Sequence, residues 1–416
     1  MTIYNLKYMS LTILFDKSTF QGLNYSEIIE LHRYYNVNVS PLLVSEILGD
    51  LSKEEKEGRK APDQQVRDIA IKMFPYKSYT NMDFHKVLIA TLLGEKEIPL
   101  DNRPLLSAEE SINSDKGKGY FFTETEEEKS IKRWKNGEFE KIEEIISENW
   151  RIESQKEGVI NEFKEHFSFL KEIKIKDQKQ DNISKLKELK INLDEKLNEE
   201  NQTELLKNII DYFEIPQEIA QRIFHRFETG DYKTVQELSS YAVFCYSISA
   251  LYYVGINNSL FGERKTNLVD LQYLYYLPFT KVFTTNDNFL KNLFFAISDE
   301  NVYFITLTEL KSDFAKFMKI NTPENWSRIP PDKDTKTYEI WNEVFDLKRF
   351  ENSKPSEKEL EKQKARFEEI LSLHKSGKSG NFTGEPDFVI KETFMSPDDP
   401  CVCGSGLKLK DCHLKK

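Results

Sequence analysis

Two short apolar runs lie most of the chain apart and end in the same way. Leu11-Thr-Ile-Leu-Phe15 stops at Asp16-Lys-Ser-Thr, and Thr280-Lys-Val-Phe-Thr-Thr285 stops at Asn286-Asp287. Runs of this length, rich in β-formers, read as buried strands. A carboxylate just past the end of such a strand sits where an open α/β sheet places its chemistry. Taken alone, Asp16 fits a helix N-cap equally well.

Two further acids share this setting. Asn36-Val-Asn-Val39 reads as another short strand, and Ser40-Pro41 as the cap and first position of a helix. Glu46 falls on the second turn of that helix among Leu42, Leu43, Ile47 and Leu48, where an acid is costly to bury unless a cation meets it. Asn267 to Pro278 reads as a helix with Asp270 in its first turn, stopped by the proline. Val302 to Thr306 supplies another strand. If the strands are parallel neighbours, Asp16, Glu46, Asp270 and Asp287 converge. Four like charges at one point repel, and a divalent cation is the usual compensation.

This order of features resembles the PIN-like nuclease superfamily: an apolar strand with Asp16-x-Ser, the Ser45-Glu46 helix, the Asp270 segment with its Tyr-Leu-Pro end, and Phe283-Thr-Thr-x-Asp287. The resemblance implies an α/β fold with a parallel sheet flanked by helices. It also implies that Asp16, Glu46, Asp270 and Asp287 bind magnesium or manganese, with Thr285 supporting the same site. The implied reaction is phosphodiester hydrolysis, usually in RNA, with DNA left open. One departure is the spacing, since Glu46 and Asp270 stand much further apart than in compact members. The chain between Asp101 and Asn201 is charged and poor in strand formers, with helical periodicity over Glu138 to Ile152 and Ile183 to Asn198. It reads as a helical insertion outside the sheet, its charge runs forming solvated faces.

Ser239 to Gly255 carries apolar or aromatic residues on nearly every face, so it belongs in the core, with Cys245 a buried thiol. Thr80 to Gly94 reads as another helix with a terminal glycine. The histidines before the tail lack any ligand spacing. Gly377-Lys-Ser has neither the preceding strand nor the glycine spacing of a phosphate loop.

The formal net charge of −11 argues against coating nucleic acid by bulk electrostatics. No stretch approaches the ~20 apolar residues of a membrane span. The first residues lack the long apolar region and small-residue cleavage site of a signal peptide, and cysteines arranged for metal with only Cys245 elsewhere point to the cytoplasm.

The tail is a unit of its own. Cys401, Cys403, Cys412 and His413 supply three thiolates and an imidazole around a Gly-Ser-Gly turn, a donor set suited to tetrahedral zinc. So small a module has almost no core, and the metal would have to fold it. From Asp398 to His413 the pattern resembles the SEC-C motif, best known at the end of the SecA translocation motor. Leu409 stands where that family often has an aromatic residue. The resemblance implies a bacterial protein, structural zinc on Cys401, Cys403, Cys412 and His413, and docking to nucleic acid, the ribosome or a protein partner. The sequence thus divides into a first PIN-like half (1–100), the charged insertion (101–204), a second PIN-like half (205–310), a helical appendage and linker (311–395), and the zinc motif (396–416). The expected function is a metal-dependent nuclease, toxin-like or antiviral uses included. The alternative is a non-catalytic adaptor that docks through its tail.

Overall fold

The computed structural model describes residues 11–345, with breaks at 55–57, 59, 74–77, 96–97, 99, 106–109, 115–116, 122–124, 299–300 and 321–330, and residue 361 alone beyond them. Its centre is a parallel sheet. The strands are β1 (Leu11–Phe15), β2 (Tyr35–Val39), β3 (Ser78–Thr80), β4 (Glu110–Ser114), β5 (Gly117–Phe121), β6 (Val282–Thr284) and β7 (Tyr303–Phe304). Five of them form one sheet in the order β3-β2-β1-β6-β7, every neighbouring pair parallel. β1 and β6 pair directly, with Ile13 opposite Val282 and Phe15 opposite Thr284, although most of the chain separates them. Both are buried along nearly their whole length, as expected of central parallel strands covered on two faces.

The strand order fixes where a site can form. From β1 the chain steps outward through β2 to β3, whereas β6 and β7 extend from the other side of β1. The order therefore reverses between β1 and β6, and in open α/β sheets a crevice opens at such a point beyond the carboxyl ends of the strands. Asp16 and Asp287 follow the two strands that meet there.

Around the sheet the chain is mostly helical. The helix Ser240–Asn257 is buried almost all round and packs against the helices Asn182–Glu199 and Phe84–Leu93. Tyr241 donates to the Tyr275 carbonyl at 3.1 Å and Ser249 pairs with the Tyr275 hydroxyl at 2.7 Å, so its polar atoms are satisfied inside the core. Cys245 is fully buried, and burial pushes its thiol well up from the ordinary range.

Several expectations need correction. Within 101–204 the chain does include strands: β4 and β5 pair antiparallel as a separate two-stranded sheet, where only helices were expected. The segment is otherwise helical, and its helices are integrated, not peripheral, since Asn182–Glu199 packs against both Ser240–Asn257 and Asn288–Ile297. Leu186, Leu189, Leu193 and Leu197 form its buried stripe, and a solvated charged face occupies the rest. Thr80 ends the edge strand β3; the following helix starts only at Phe84, capped by Asp83, and ends at Gly94 with φ 67°.

The stretch expected as an appendage beyond 310 also belongs to the fold as far as it is described. Helices Leu307–Ile320 and Lys336–Phe345 pack on each other, and the first lies against Tyr25–Tyr34. Phe317 meets the Tyr34 ring at 4.3 Å between centroids, and Tyr35 on β2 donates to Thr337 at 2.9 Å. These contacts join residues some 300 positions apart, which no local pattern announces.

Candidate functional site

The site begins with Asp16, which caps the helix Lys17–Gly22. Its Oδ1 accepts the Thr19 amide at 3.0 Å, so the capping role and the strand-end position are both realised. Its Oδ2 accepts two hydroxyls, Ser18 Oγ at 2.8 Å and Thr285 Oγ1 at 2.9 Å. Thr285, buried at the end of β6, accepts in turn the Asp287 amide at 3.0 Å. One hydroxyl therefore ties the ends of β1 and β6 together. Asp287 caps the helix Asn288–Ile297, its Oδ1 accepting the Phe289 amide at 2.6 Å.

The other two acids arrive on helices. Ser40 caps Pro41–Leu48 by accepting the Leu43 amide at 3.2 Å, and Pro41 sits in the first turn. Glu46 lies on that helix and accepts a short hydrogen bond from the Tyr273 hydroxyl. Asp270 occupies the last turn of the helix Lys265–Asp270, not the first turn of a helix starting at Asn267, and the chain continues as a 3₁₀ run, Leu271–Phe279. That run carries Tyr273, three residues past Asp270, so a single turn links the Asp270 helix to Glu46.

The electrostatics show that the acids share one neighbourhood. Burial, followed by the charges of Glu46, Asp287 and Asp16, pushes the Asp270 carboxyl up to about 7, with Arg264 opposing. Burial also raises Glu46; Tyr273 and Lys17 oppose that shift, while Asp16 and Asp50 add to it. The Asp270 carboxyl is thus held partly protonated at neutral pH, by burial first and by the three neighbouring acids after it.

Four contributing residues escaped the sequence reading. Lys17 is largely buried, which lowers its pKa. Its Nζ donates to the Glu46 carbonyl at 2.7 Å and to Asp50 Oδ1 at 2.6 Å, tying the turn after β1 to the Glu46 helix. Asp50 is the second, buried, with Lys53 meeting the same oxygen at 2.6 Å. Tyr273 is the third, and its i+3 spacing from Asp270 was a readable signal. The fourth is Ser147, on the helix Lys141–Gln155 of the insertion. Its buried hydroxyl donates to the Leu48 carbonyl at 2.8 Å and accepts the Ser52 amide at 3.0 Å. Trp150 from the same helix lies so close to Gly49 that an added Cβ would fall 2.4 Å from its Cδ1. This helix packs against both Pro41–Leu48 and Lys265–Asp270, so the insertion buttresses the two acid-bearing helices.

Carboxylate oxygens are hard donors suited to magnesium or manganese. Asp16, Glu46, Asp270 and Asp287 are brought together as a neighbourhood. Among the described residues, however, no group of three or more His, Cys, Asp or Glu side chains has the spacing of a preformed metal cage. The donor chemistry fits a divalent cation, and closing around one would take movement of these side chains. Cys401, Cys403, Cys412 and His413 lie outside the described residues.

A family model of the SEC-C motif matches residues 399–415. No curated protein and no solved structure matches the chain. Among the described residues no helix is long and apolar enough to cross a membrane.

Proposed function

We propose that this protein is a divalent-metal-dependent nuclease with a PIN-like catalytic fold, acting on RNA rather than DNA, with a zinc-bound SEC-C tail as its docking element. The observation that carries this reading is Asp270. Burial, and then the charges of three other acids contributed by the ends of β1 and β6 and by the helix after β2, push its carboxyl to about 7 at the point where the strand order reverses. A protein does not ordinarily gather four carboxylates in one partly buried crevice without a cation to neutralise them.

Asp16, Glu46, Asp270 and Asp287 would hold magnesium or manganese, which when bound supplies charge neutralisation at a scissile phosphate and an oriented water. The chain's own contributions are positional. Thr285 fixes Asp16 relative to Asp287, Tyr273 fixes Glu46, and Lys17 holds the Glu46 helix against the turn after β1. The tail ligands Cys401, Cys403, Cys412 and His413 leave zinc no open position, so its role there is structural. Docking would use the adjacent Lys408, Lys410, Lys415 and Lys416 against RNA, the ribosome or an acidic protein surface. The matched SEC-C motif supports such a tail.

The test incubates the purified full chain with labelled single-stranded RNA and with DNA, in manganese, in magnesium and in chelator. Metal-dependent cleavage of RNA, abolished in Asp16→Asn, is expected. Absence of cleavage under every condition, or cleavage undiminished in both Asp16→Asn and Asp287→Asn, overturns the reading and leaves the docking adaptor in its place.

A further inference from the structure

Lys17 follows Asp16 in the chain but turns its charge toward the next helix. The side chain is 16% exposed, and its Nζ donates to the Glu46 carbonyl at 2.7 Å and to Asp50 Oδ1 at 2.6 Å. A lysine ammonium is a compact, strongly hydrated point charge, and taking it out of water needs anions close by. The anions here are Asp50, by contact, and the Glu46 carboxylate, on which the Lys17 charge acts against the effect of burial. A fixed positive charge therefore already stands on the Glu46 side of the candidate site.

Asp50 stands one helical turn beyond Glu46, and its side chain is 2% exposed. Its Oδ1 takes both Lys17 and Lys53, each at 2.6 Å, while its Oδ2 has no hydrogen-bond partner among the described residues. Lys53 reaches in from the surface, 45% exposed, and answers the charge of Asp50. The Lys17 charge is thereby left to count toward the acids of the site. Sites that cleave phosphate esters with two divalent ions hold those ions roughly 3.5–4 Å apart. A second ion on this side would need Glu46 together with a carboxylate beyond the four, and Asp50 is one whose charge reaches Glu46. Lys17 stands between them, bonded to the main chain of the one and the carboxylate of the other. A divalent ion placed there would lie against an ammonium, and like charges at that range exclude each other.

We propose that the Lys17 ammonium fills the second-cation position of the candidate site, so that one divalent ion binds there and not two. This rests on the metal-dependent reading given above and makes Lys17 a positioning residue, the built-in companion of a single ion. Its charge is held in place by the fold, through the turn after β1 and the end of the Glu46 helix, whether or not metal is bound.

Manganese titrated into the zinc-supplied full chain, with free manganese(II) read by electron paramagnetic resonance, counts the ions bound. Those lost in Asp16→Asn belong to the site. One ion is expected for the parent and for Lys17→Arg, which keeps the charge. Lys17→Gln keeps a donor but drops the charge, frees Asp50 beside Glu46, and should bind two ions with the spin-coupled spectrum of an adjacent pair. Adding Asp50→Asn to Lys17→Gln removes a charge of each sign and should return the count to one. Two ions in the parent or in that double variant, or one in a folded Lys17→Gln, overturns the inference and leaves the metal-dependent reading standing. No Asp16-sensitive ion in the parent overturns that reading, and the inference with it. Where Lys17→Gln fails to fold, Asp50→Asn alone decides. With its anion gone, the Lys17 charge bears on the ion and should weaken manganese binding ~10-fold or more, and unchanged binding overturns the inference.

Discussion

Two pairs of acids meet in the candidate site, and the protein holds them by different means. Asp16 and Asp287 each follow a strand and cap the next helix, so a backbone amide fixes each carboxylate. Thr285 then couples them through one hydroxyl. Glu46 and Asp270 ride on helices and depend on distant residues for their surroundings: Tyr273 and Lys17 for Glu46, and the three other acids for Asp270. The first pair is set by local geometry, the second by packing. A strand-end cap is cheap because the helix needs an acceptor anyway. A carboxylate on a buried helix face must be compensated from outside, and here the compensation is incomplete.

The largest expected effect falls on the capping pair. Asn keeps an oxygen for the amide at either cap but removes the charge, so Asp16→Asn and Asp287→Asn should each fold normally. Each should lower metal-dependent RNA cleavage by about 1000-fold or more, as measured in single-turnover assays. A residual rate near that of the unaltered chain would show that the caps are only structural.

Divalent cation should next stabilise the folded chain, because it relieves the repulsion among all four acids. At a hundredfold excess over its dissociation constant the gain is about 2.7 kcal/mol, read as a rise in melting temperature with manganese that Asp16→Asn blunts. No rise in the unaltered protein would mean that the four acids do not act as one cation site.

Asp270→Asn distinguishes the pairs by pH. The folded carboxyl titrates at about 7 and its ordinary value is 3.8, so as pH rises the unfolded chain releases its proton first. Stability therefore falls between those values: the penalty is absent below the lower one and complete above the upper one. Without metal, Asp270→Asn should be more stable than the parent by ~1–3 kcal/mol near pH 8.5, after allowance for solvent screening, and about equal to it near pH 4. Equal stability at both values would place Asp270 outside the repelling cluster.

Tyr273→Phe carries the smallest effect. It removes the hydroxyl that opposes the upward shift of Glu46 and leaves a largely buried carboxylate oxygen without that donor. A loss of ~1–2 kcal/mol at neutral pH is expected, shrinking in acid as Glu46 takes up its proton. Chemical denaturation at two pH values measures it, and a pH-independent loss would assign Tyr273 to packing alone.

The sequence by itself determined the strand-to-acid junctions, the Ser40-Pro41 helix start, the buried core helix, the leucine-striped helix of the insertion and the SEC-C pattern of the tail. These rest on contacts within a few residues: caps, periodicity, and ligand spacing. Only the tertiary structure decided that β1 and β6 are adjacent, that β3 extends the sheet, and that Leu307–Ile320 and Lys336–Phe345 close it. The same holds for Lys17, Asp50, Tyr273 and Ser147, whose roles rest on partners between 29 and 227 residues away. A side chain's propensity is a property of its neighbours in the chain, whereas its charge state and its partners are properties of whatever the fold brings beside it. Asp270 shows the difference: the sequence marked it as one of four candidate acids, but its burial and the three acids beside it, arriving from two strand ends and another helix, are set by the fold.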